Sequence, residues 1–382
     1  MPRSRVALVR CASYESVAVH EAVGRALELL GGAARFSQDG EHILLKPNLL
    51  VASKPDDAVT THPSVFEAVI RHLQVTGATI TYGDSPAFGK AEGAARRGGL
   101  AEVAERHGVE FEEFTDGRQV SFPDGGLIKQ FVIAGPVLDA DGVVSLSKLK
   151  THGLTRITGA VKNQFGCIPG VLKGEFHARM PDVDRFSQML VDLTAAVRPR
   201  LFIMDGVLAM EGNGPRGGNP RMMNVIIASE DPVALDATVC AMVRLDPHLA
   251  PTVRWGAEWG LGSMKDIEYV GDSLETFIAD DFVVNRSSGS TTSTRGRLGA
   301  LVKDWIVPRP VIDPARCTAC GTCVHMCPVD PKAVDFDTDL GKGTAPVHHY
   351  DRCIRCYCCQ ELCPERAISV KTPFLGRLIH KG

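Results

Sequence analysis

Residues 317–328 read CTACGTCVHMCP, and residues 353–364 read CIRCYCCQELCP. Each follows Cys-x2-Cys-x2-Cys-x3-Cys-Pro. The first set is Cys317, Cys320, Cys323 and Cys327, and the second is Cys353, Cys356, Cys359 and Cys363. The flanks repeat as well: DPARCTACGTCVHMCPVDPKAV is answered by YDRCIRCYCCQELCPERAI, 36 residues later. Two half-modules, each a cysteine loop with a short helix, would form one pseudo-symmetric domain. Three thiolates spaced two residues apart can wrap three corners of a cubane from one loop, while the fourth, beside proline, points at the other cluster. The spacing therefore predicts two [4Fe–4S] clusters with crossed ligands. Cysteines 317, 320, 323 and 363 would hold one, and cysteines 353, 356, 359 and 327 the other.

Zinc also binds Cys-x2-Cys, but it needs four ligands per site and no crossing fourth cysteine. Two complete copies, each ending in Cys-Pro, favour iron and sulfur. Cys358 lies between two ligands and is expected to be a small buried side chain. His325, Met326 and Tyr357 lie beside ligands and could tune cluster potentials, which span about −700 to +450 mV for such centres. His348-His349 is expected at the surface. This region resembles the dicluster bacterial ferredoxins, a likeness that implies one-electron transfer.

Of twelve cysteines, only Cys11, Cys167 and Cys240 lie outside this block. The chain carries no export signature at its first residues, so clustered thiols speak for metal rather than disulfides. Hydrophobic residues at 44% and charged residues at 23% suit a soluble globular protein with a real core. A net charge of −3 gives no reason to expect a nucleic-acid partner. No run approaches the roughly 18 apolar residues of a membrane span. A cytoplasmic location is expected.

Upstream, strand-like and helix-like stretches alternate. VALVR (6–10) reads as a strand and 15–30 as a helix closed by Gly31-Gly32. HILLKPNLL (42–50) is a strand entering a loop, and Thr61 is placed to cap a helix with Pro63 in its first turn. ATITYGDS, VVSLS, LFIMD, NVIIAS and IEYVG continue as strands, with helices at 90–107, 182–197 and from Pro232 to about Leu245. This order predicts an α/β domain over 1–283, with a mostly parallel sheet covered by helices on both faces. A small polar linker would occupy 284–310, the ferredoxin-like α+β dicluster domain 311–371, and a tail 372–382.

Residues 145–177, SLSKLKTHGLTRITGAVKNQFGCIPGVLKGEFH, hold Lys148, Lys150, His152, Arg156, Lys162, Asn163, Lys173 and His177, with no acidic residue before Glu175. They begin at a strand's carboxyl end, where open α/β sheets place ligands. Lys46 and Asn48, Asp84 and Ser85, and Asp205 and Glu211 follow other strands and could converge on the same crevice. A small carboxylate or phosphate substrate is expected there, bound by Lys46, Asn48, Lys148, Lys150, Lys162 and Asn163. His152 and His177 are candidate proton donors. Gly212-x-Gly214-x-x-Gly217 matches a dinucleotide fingerprint in letters only; prolines and another strand follow it, so it is expected to be a flexible loop over the site. Cys167 is expected to be a small loop residue.

The order LLKPNL, THPSVFEAVI, GDSP, SLSKLKTHGLTRITGAVKN, DG-x3-MEGNGP and DPVALDA resembles the domain of unknown function 362 family over most of residues 5–275. Members often carry a ferredoxin module at this end, so the likeness implies an iron–sulfur oxidoreductase architecture without a substrate. Three functions follow as expectations. One is a reductase acting on an anion in the large domain. Another is an electron carrier whose large domain docks a partner donor or acceptor protein. The third is a binding or sensory protein with structural clusters.

Overall fold

The structure is a computed structural model that describes residues 3–287, 305–337 and 343–379. Its strands are β1 (Ser4–Arg10), β2 (His42–Lys46), β3 (Thr79–Tyr82), β4 (Glu110–Phe111), β5 (Gly117–Ser121), β6 (Gln130–Ala134), β7 (Gly142–His152), β8 (Arg156–Ile157), β9 (Leu201–Glu211), β10 (Asn219–Ser229) and β11 (Ile267–Gly271), followed by β12 (Arg309–Ile312), β13 (Val334–Asp335), β14 (Val347–His348) and β15 (Ile368–Lys371). The large sheet has the order β11-β1-β10-β9-β7-β2-β3-β4, with β8 folded back on β7. Its β9-β7-β2-β3-β4 half is parallel throughout, as is the β1–β11 pair, while β10 runs antiparallel to both neighbours.

Helices cover both faces: α1 (Ser16–Leu29), α2 (Pro63–Gln74), α3 (Ala91–Arg97), α4 (Leu100–His107), α5 (Gly135–Asp139), α6 (Gly159–Asn163), α7 (Gly170–Arg179), α8 (Val183–Val197), α9 (Pro232–Met242) and α10 (Pro251–Glu258). One apolar cluster joins α1, α2 and α4 to one face of the sheet; another joins α8, α9 and α10 to the opposite face. That two-sided cover explains why β7 is buried along its whole length.

Local differences from expectation have clear causes. The stretch 90–107 is two helices, because Gly98-Gly99 breaks it and Gly99 takes φ +78. His62, not Thr61, caps α2: its Nδ1 accepts from the Ser64 amide at 3.2 Å. The Thr61 hydroxyl instead accepts from the Asn48 amide and donates to the Leu146 carbonyl. The hairpin of β5 and β6 carries little apolar alternation, so periodicity does not reveal it. Most of the expected linker, residues 288–304, lies outside the described residues. Strand β12 begins at Arg309 and pairs with β15, and Phe374–Ile379 form a helix in the stretch read as a tail.

The cysteine module packs directly on the large domain. Tyr357 is 1% exposed within the large domain's own core cluster. The Gly212–Gly217 loop is the β9–β10 turn, and it is tied to the module rather than flexible. Gln360 donates to the carbonyls of Asn213 (3.0 Å) and Gly214 (3.2 Å), Arg216 to the Leu362 carbonyl (2.8 Å) and Asn213 to the Ile368 carbonyl (3.0 Å). Arg366 pairs with Asp57 at 2.8 Å. Among the described residues no helix is long and apolar enough to cross a membrane.

Candidate functional site

Strand β2 ends at Lys46, β3 just before Asp84, and β7 at Lys150-Thr151-His152. Their carboxyl ends lie side by side because the strands are parallel neighbours. Helix α6 delivers Lys162 and Asn163 above them, and α7 adds Lys173 and His177, one turn apart on one face. The cavity they form opens to solvent at its mouth, and the space within it and that mouth together is about 800 Å³. Lys46, Asn48, Asp84, Ser85, Lys150, His152, Lys162, Asn163, Lys173 and His177 all line it. The cysteine module adds Met326, Cys358, Glu361 and Leu362 to its wall.

A polar network fixes the floor. Lys46 Nζ pairs with Asp84 at 2.7 Å, and its other neighbours are the Pro47 carbonyl (3.0 Å) and Asn163 Oδ1 (3.3 Å). Asn163 also accepts from Asn48 (3.0 Å), whose Oδ1 accepts from Lys150 Nζ (2.5 Å); Lys150 donates further to the Val59 carbonyl (2.6 Å). Gly166 makes the Lys46–Asp84 approach possible, since a Cβ there would lie 1.9 Å from Asp84 Oδ1. Lys173 donates to the Ser85 carbonyl at 2.7 Å. Lys162 differs from the others. Its Nζ lies over the Phe165 ring, 5.7 Å from the centroid, and among the described residues no hydrogen-bond or ion-pair partner reaches it.

Lys148 does not reach this cavity. Its register partner on β9 is Asp205, and the pairing shifts before Lys150 meets Met210. Such an irregularity re-aims side chains along a strand. Lys148 Nζ sits 2.7 Å from Asp205 and 2.9 Å from the Tyr14 hydroxyl, fully buried. Glu211 likewise points elsewhere, accepting from the Val283 amide.

In the module, two further cavities are each ringed by four thiols. One is lined by Cys317, Cys320, Cys323 and Cys363, the other by Cys327, Cys353, Cys356 and Cys359. These are the crossed sets that the spacing predicts. Among the described residues no three His, Cys, Asp or Glu side chains converge on a single-ion site. Thiols standing apart around a cavity suit a cubane, so the donor set fits the group. His348 is not a plain surface residue: it is half-buried on Tyr350, and its Nε2 lies 3.6 Å from Cys359 Sγ. Cys358 is buried at 8% exposure, as expected, but faces the basic cavity.

Residues 43–241 match the model of a family described as domain of unknown function (DUF362), and residues 309–365 match the 4Fe-4S dicluster domain. The chain belongs to the DUF362 family. The thylakoid-associated protein sll1697 of Synechocystis sp. is 38% identical over 257 residues, covering 67% of this chain and 79% of that protein. The lactate racemase apoprotein from Thermoanaerobacterium thermosaccharolyticum is similar with a TM-score of 0.41 and 10% identity, covering 63% of this chain and 56% of that one. The 4Fe-4S match makes the C-terminal region an iron–sulfur module and gives the protein an electron-transfer role. The large-domain residues of the cavity fall within the DUF362 match, and its far wall falls within the dicluster match.

Burial dominates the electrostatics of this DUF362 cavity. It lowers the Lys150 and Lys162 ammoniums and brings Lys173 down to about 7; Asp84 opposes that last shift. It pushes the His177 imidazole down to about 4 and lowers His152 as well, so neither is an imidazolium near neutral pH. His152 Nδ1 accepts from the Leu154 and Thr155 amides, which leaves the hydrogen on Nε2, 2.9 Å from Glu361 Oε1. Burial raises the Glu361 carboxyl, but His152, Lys162 and His177 outweigh this and hold it at about 2. Burial also lifts the Cys167 thiol to about 12, which makes it an inert core residue.

Lys173, Glu361 and Cys358 join the site without having been expected among its ligand-binding residues. The i, i+4 spacing of Lys173 and His177 is a signal for the first. Nothing local signals that the cysteine module closes the cavity.

Two outcomes are expected here. Lys148→Ala should destabilise the fold by about 3–5 kcal/mol in chemical unfolding, because Asp205 would be left buried without its cation. Anion affinity should fall as pH rises through about 7. Lys173 is charged below that pH in the free protein, so above it an anion must draw in a proton to bind. The slope approaches about tenfold per pH unit, and Lys173→Met should flatten it in titrations at several pH values.

Proposed function

We propose that the protein is a reductase. Two [4Fe–4S] clusters, held by the crossed cysteine sets, supply single electrons, and an anionic substrate receives them in the basic cavity. One observation carries this reading: a single cavity has its cationic floor from the large domain and its far wall from residues 326, 358, 361 and 362, which alternate with the cysteines of the module. A carrier that merely docked partners would have no need of a buried, ligand-sized cationic chamber behind its own module.

The chain's residues have separable tasks. Lys150 and Lys162 stabilise negative charge that grows on the substrate as it is reduced. Asn48 and Asn163 hold the lysine heads in place. Lys173, with a pKa of about 7, is suited to hold and release a proton near neutrality. His152, with Nε2 2.9 Å from Glu361 Oε1, positions that carboxyl in the wall. Electrons reach the module from a separate donor protein or reductant.

The test is anaerobic. Reduce the protein with dithionite, remove the excess, and follow the return of the oxidised visible absorption on adding carboxylates and phosphates. Substrate-dependent reoxidation that Lys173→Met slows supports the reductase. No reoxidation by any of a broad panel, together with ready reoxidation by a carrier protein, would transfer the role to docking.

A further inference from the structure

The cavity has two unlike zones. Its floor carries buried lysines, with Lys150 at 1% and Lys162 at 9% exposure. Its upper wall is apolar: Leu50, Ala87, Met326 and Leu362 line it and also pack together in one hydrophobic cluster, contributed by both domains. A site built for phosphate or a small dicarboxylate would carry donors around its whole perimeter. Here an apolar cluster takes up part of the lining, beside the lysines.

Gly174 adds an independent observation. It is the fifth of ten residues in α7 and lies on the face that carries Lys173 and His177, exposed at the mouth of the cavity. Glycine inside a helix lowers helix stability relative to alanine, so it needs a reason. Backbone conformation supplies none, because Gly174 is not among the positive-φ glycines. Packing supplies none either: a Cβ there would meet nothing within 4 Å, whereas one at Gly166 would collide. What its missing side chain leaves is open space at this position of the mouth.

Resting on the reductase reading, we propose that the substrate is a carboxylate with an apolar body, an aryl or longer acyl acid. Its carboxylate lies on Lys162 and Lys150, and its body lies between the Leu50–Ala87–Met326–Leu362 wall and the gap at Gly174. Gly174 sets how large that body can be. Lys162 is the anchor because it is buried, lines the cavity and has no hydrogen-bond or ion-pair partner among the described residues.

The experiment uses the full chain with its clusters in place, oxidised and anaerobic, titrated calorimetrically with acetate, hexanoate, 2-naphthoate and inorganic phosphate at pH 6.5. Affinity is expected to rise about tenfold or more from acetate to 2-naphthoate at constant charge, with phosphate among the weak binders. Gly174→Leu should weaken 2-naphthoate about tenfold or more and leave acetate within about twofold. Gly174→Ala should raise the thermal midpoint, and this also shows that the position tolerates a side chain. Acetate or phosphate binding as tightly as 2-naphthoate would overturn the proposal. So would a lowered midpoint for Gly174→Ala, since the glycine would then be structural. The two readings fail separately. If 2-naphthoate binds but no bound carboxylate reoxidises the reduced protein, the reductase reading falls and the apolar site stands. If small anions alone reoxidise it, the apolar site falls and the reductase stands. If no anion binds, both fall.

Discussion

Lys162→Met is expected to remove most anion binding while leaving the protein at least as stable as before. The two effects share one cause. A buried ammonium without a hydrogen-bonded or ion-paired partner is costly to the fold; among the described residues Lys162 has none, and the Glu361 carboxylate acts on it only from beyond ion-pair distance. Replacing it with an apolar chain of similar length relieves that cost. The substrate, however, loses its charge-assisted partner, which contributes about 1.5–3 kcal/mol, or about 10- to 100-fold in affinity. Differential scanning calorimetry and anion titration on the same samples check both halves. A large fall in midpoint with unchanged affinity would make Lys162 a structural residue, as Lys148 is. The contrast between these two lysines is the sharpest internal control the molecule offers: one has Asp205 at 2.7 Å, the other has a cavity.

The second large effect concerns the crossed cysteines. Cys363→Ala should abolish the cluster held by the first motif, not the second, and Cys327→Ala should do the reverse. The grounds are the two four-thiol cavities, which take three cysteines from one motif and the fourth from the other. Iron and acid-labile sulfide analysis with electron paramagnetic resonance distinguishes the cases. The double variant Cys317→Ala/Cys363→Ala should match either single variant and retain about half of the iron. The double variant Cys353→Ala/Cys363→Ala should retain almost none. If Cys353→Ala/Cys363→Ala instead kept half, the ligands would be uncrossed.

Much of the site is legible in the amino-acid sequence. Lys46, Asn48 and Lys150 stand out because each follows an apolar run that ends in polar residues, and parallel strands bring such ends together; Lys162 and Asn163 stand out as part of the basic stretch after β7, and α6 carries them over those ends. Lys148 is legible as a cation but not as a structural one. Its spacing from Lys150 suggests a common face, and the register shift against β9 separates them. The ordinary pKa of imidazole makes His152 and His177 candidate proton donors. Burial lowers both, and a buried environment depends on what packs on top rather than on neighbours in the chain.

Cys358 and Glu361 show where local reading stops. Within CIRCYCCQELCP one is a spare thiol and the other a surface-like acid. Their burial in the wall of the cavity arises because Tyr357, Gln360 and Arg366 dock the module on the large domain through contacts some 150 to 310 residues distant in sequence.

The amino-acid sequence by itself determined the cysteine spacing, hence the crossed thiol sets, and the strand–helix alternation, hence a largely parallel sheet with lysines at its strand ends. Both are short-range properties, set by which side chains fit a loop around a cubane and which runs can be buried on two faces. Tertiary structure decided that the iron–sulfur module closes the basic cavity, which lysine is neutralised and which is left for a ligand. Those outcomes depend on desolvation and on partners from distant segments, and neither exists until the two domains pack.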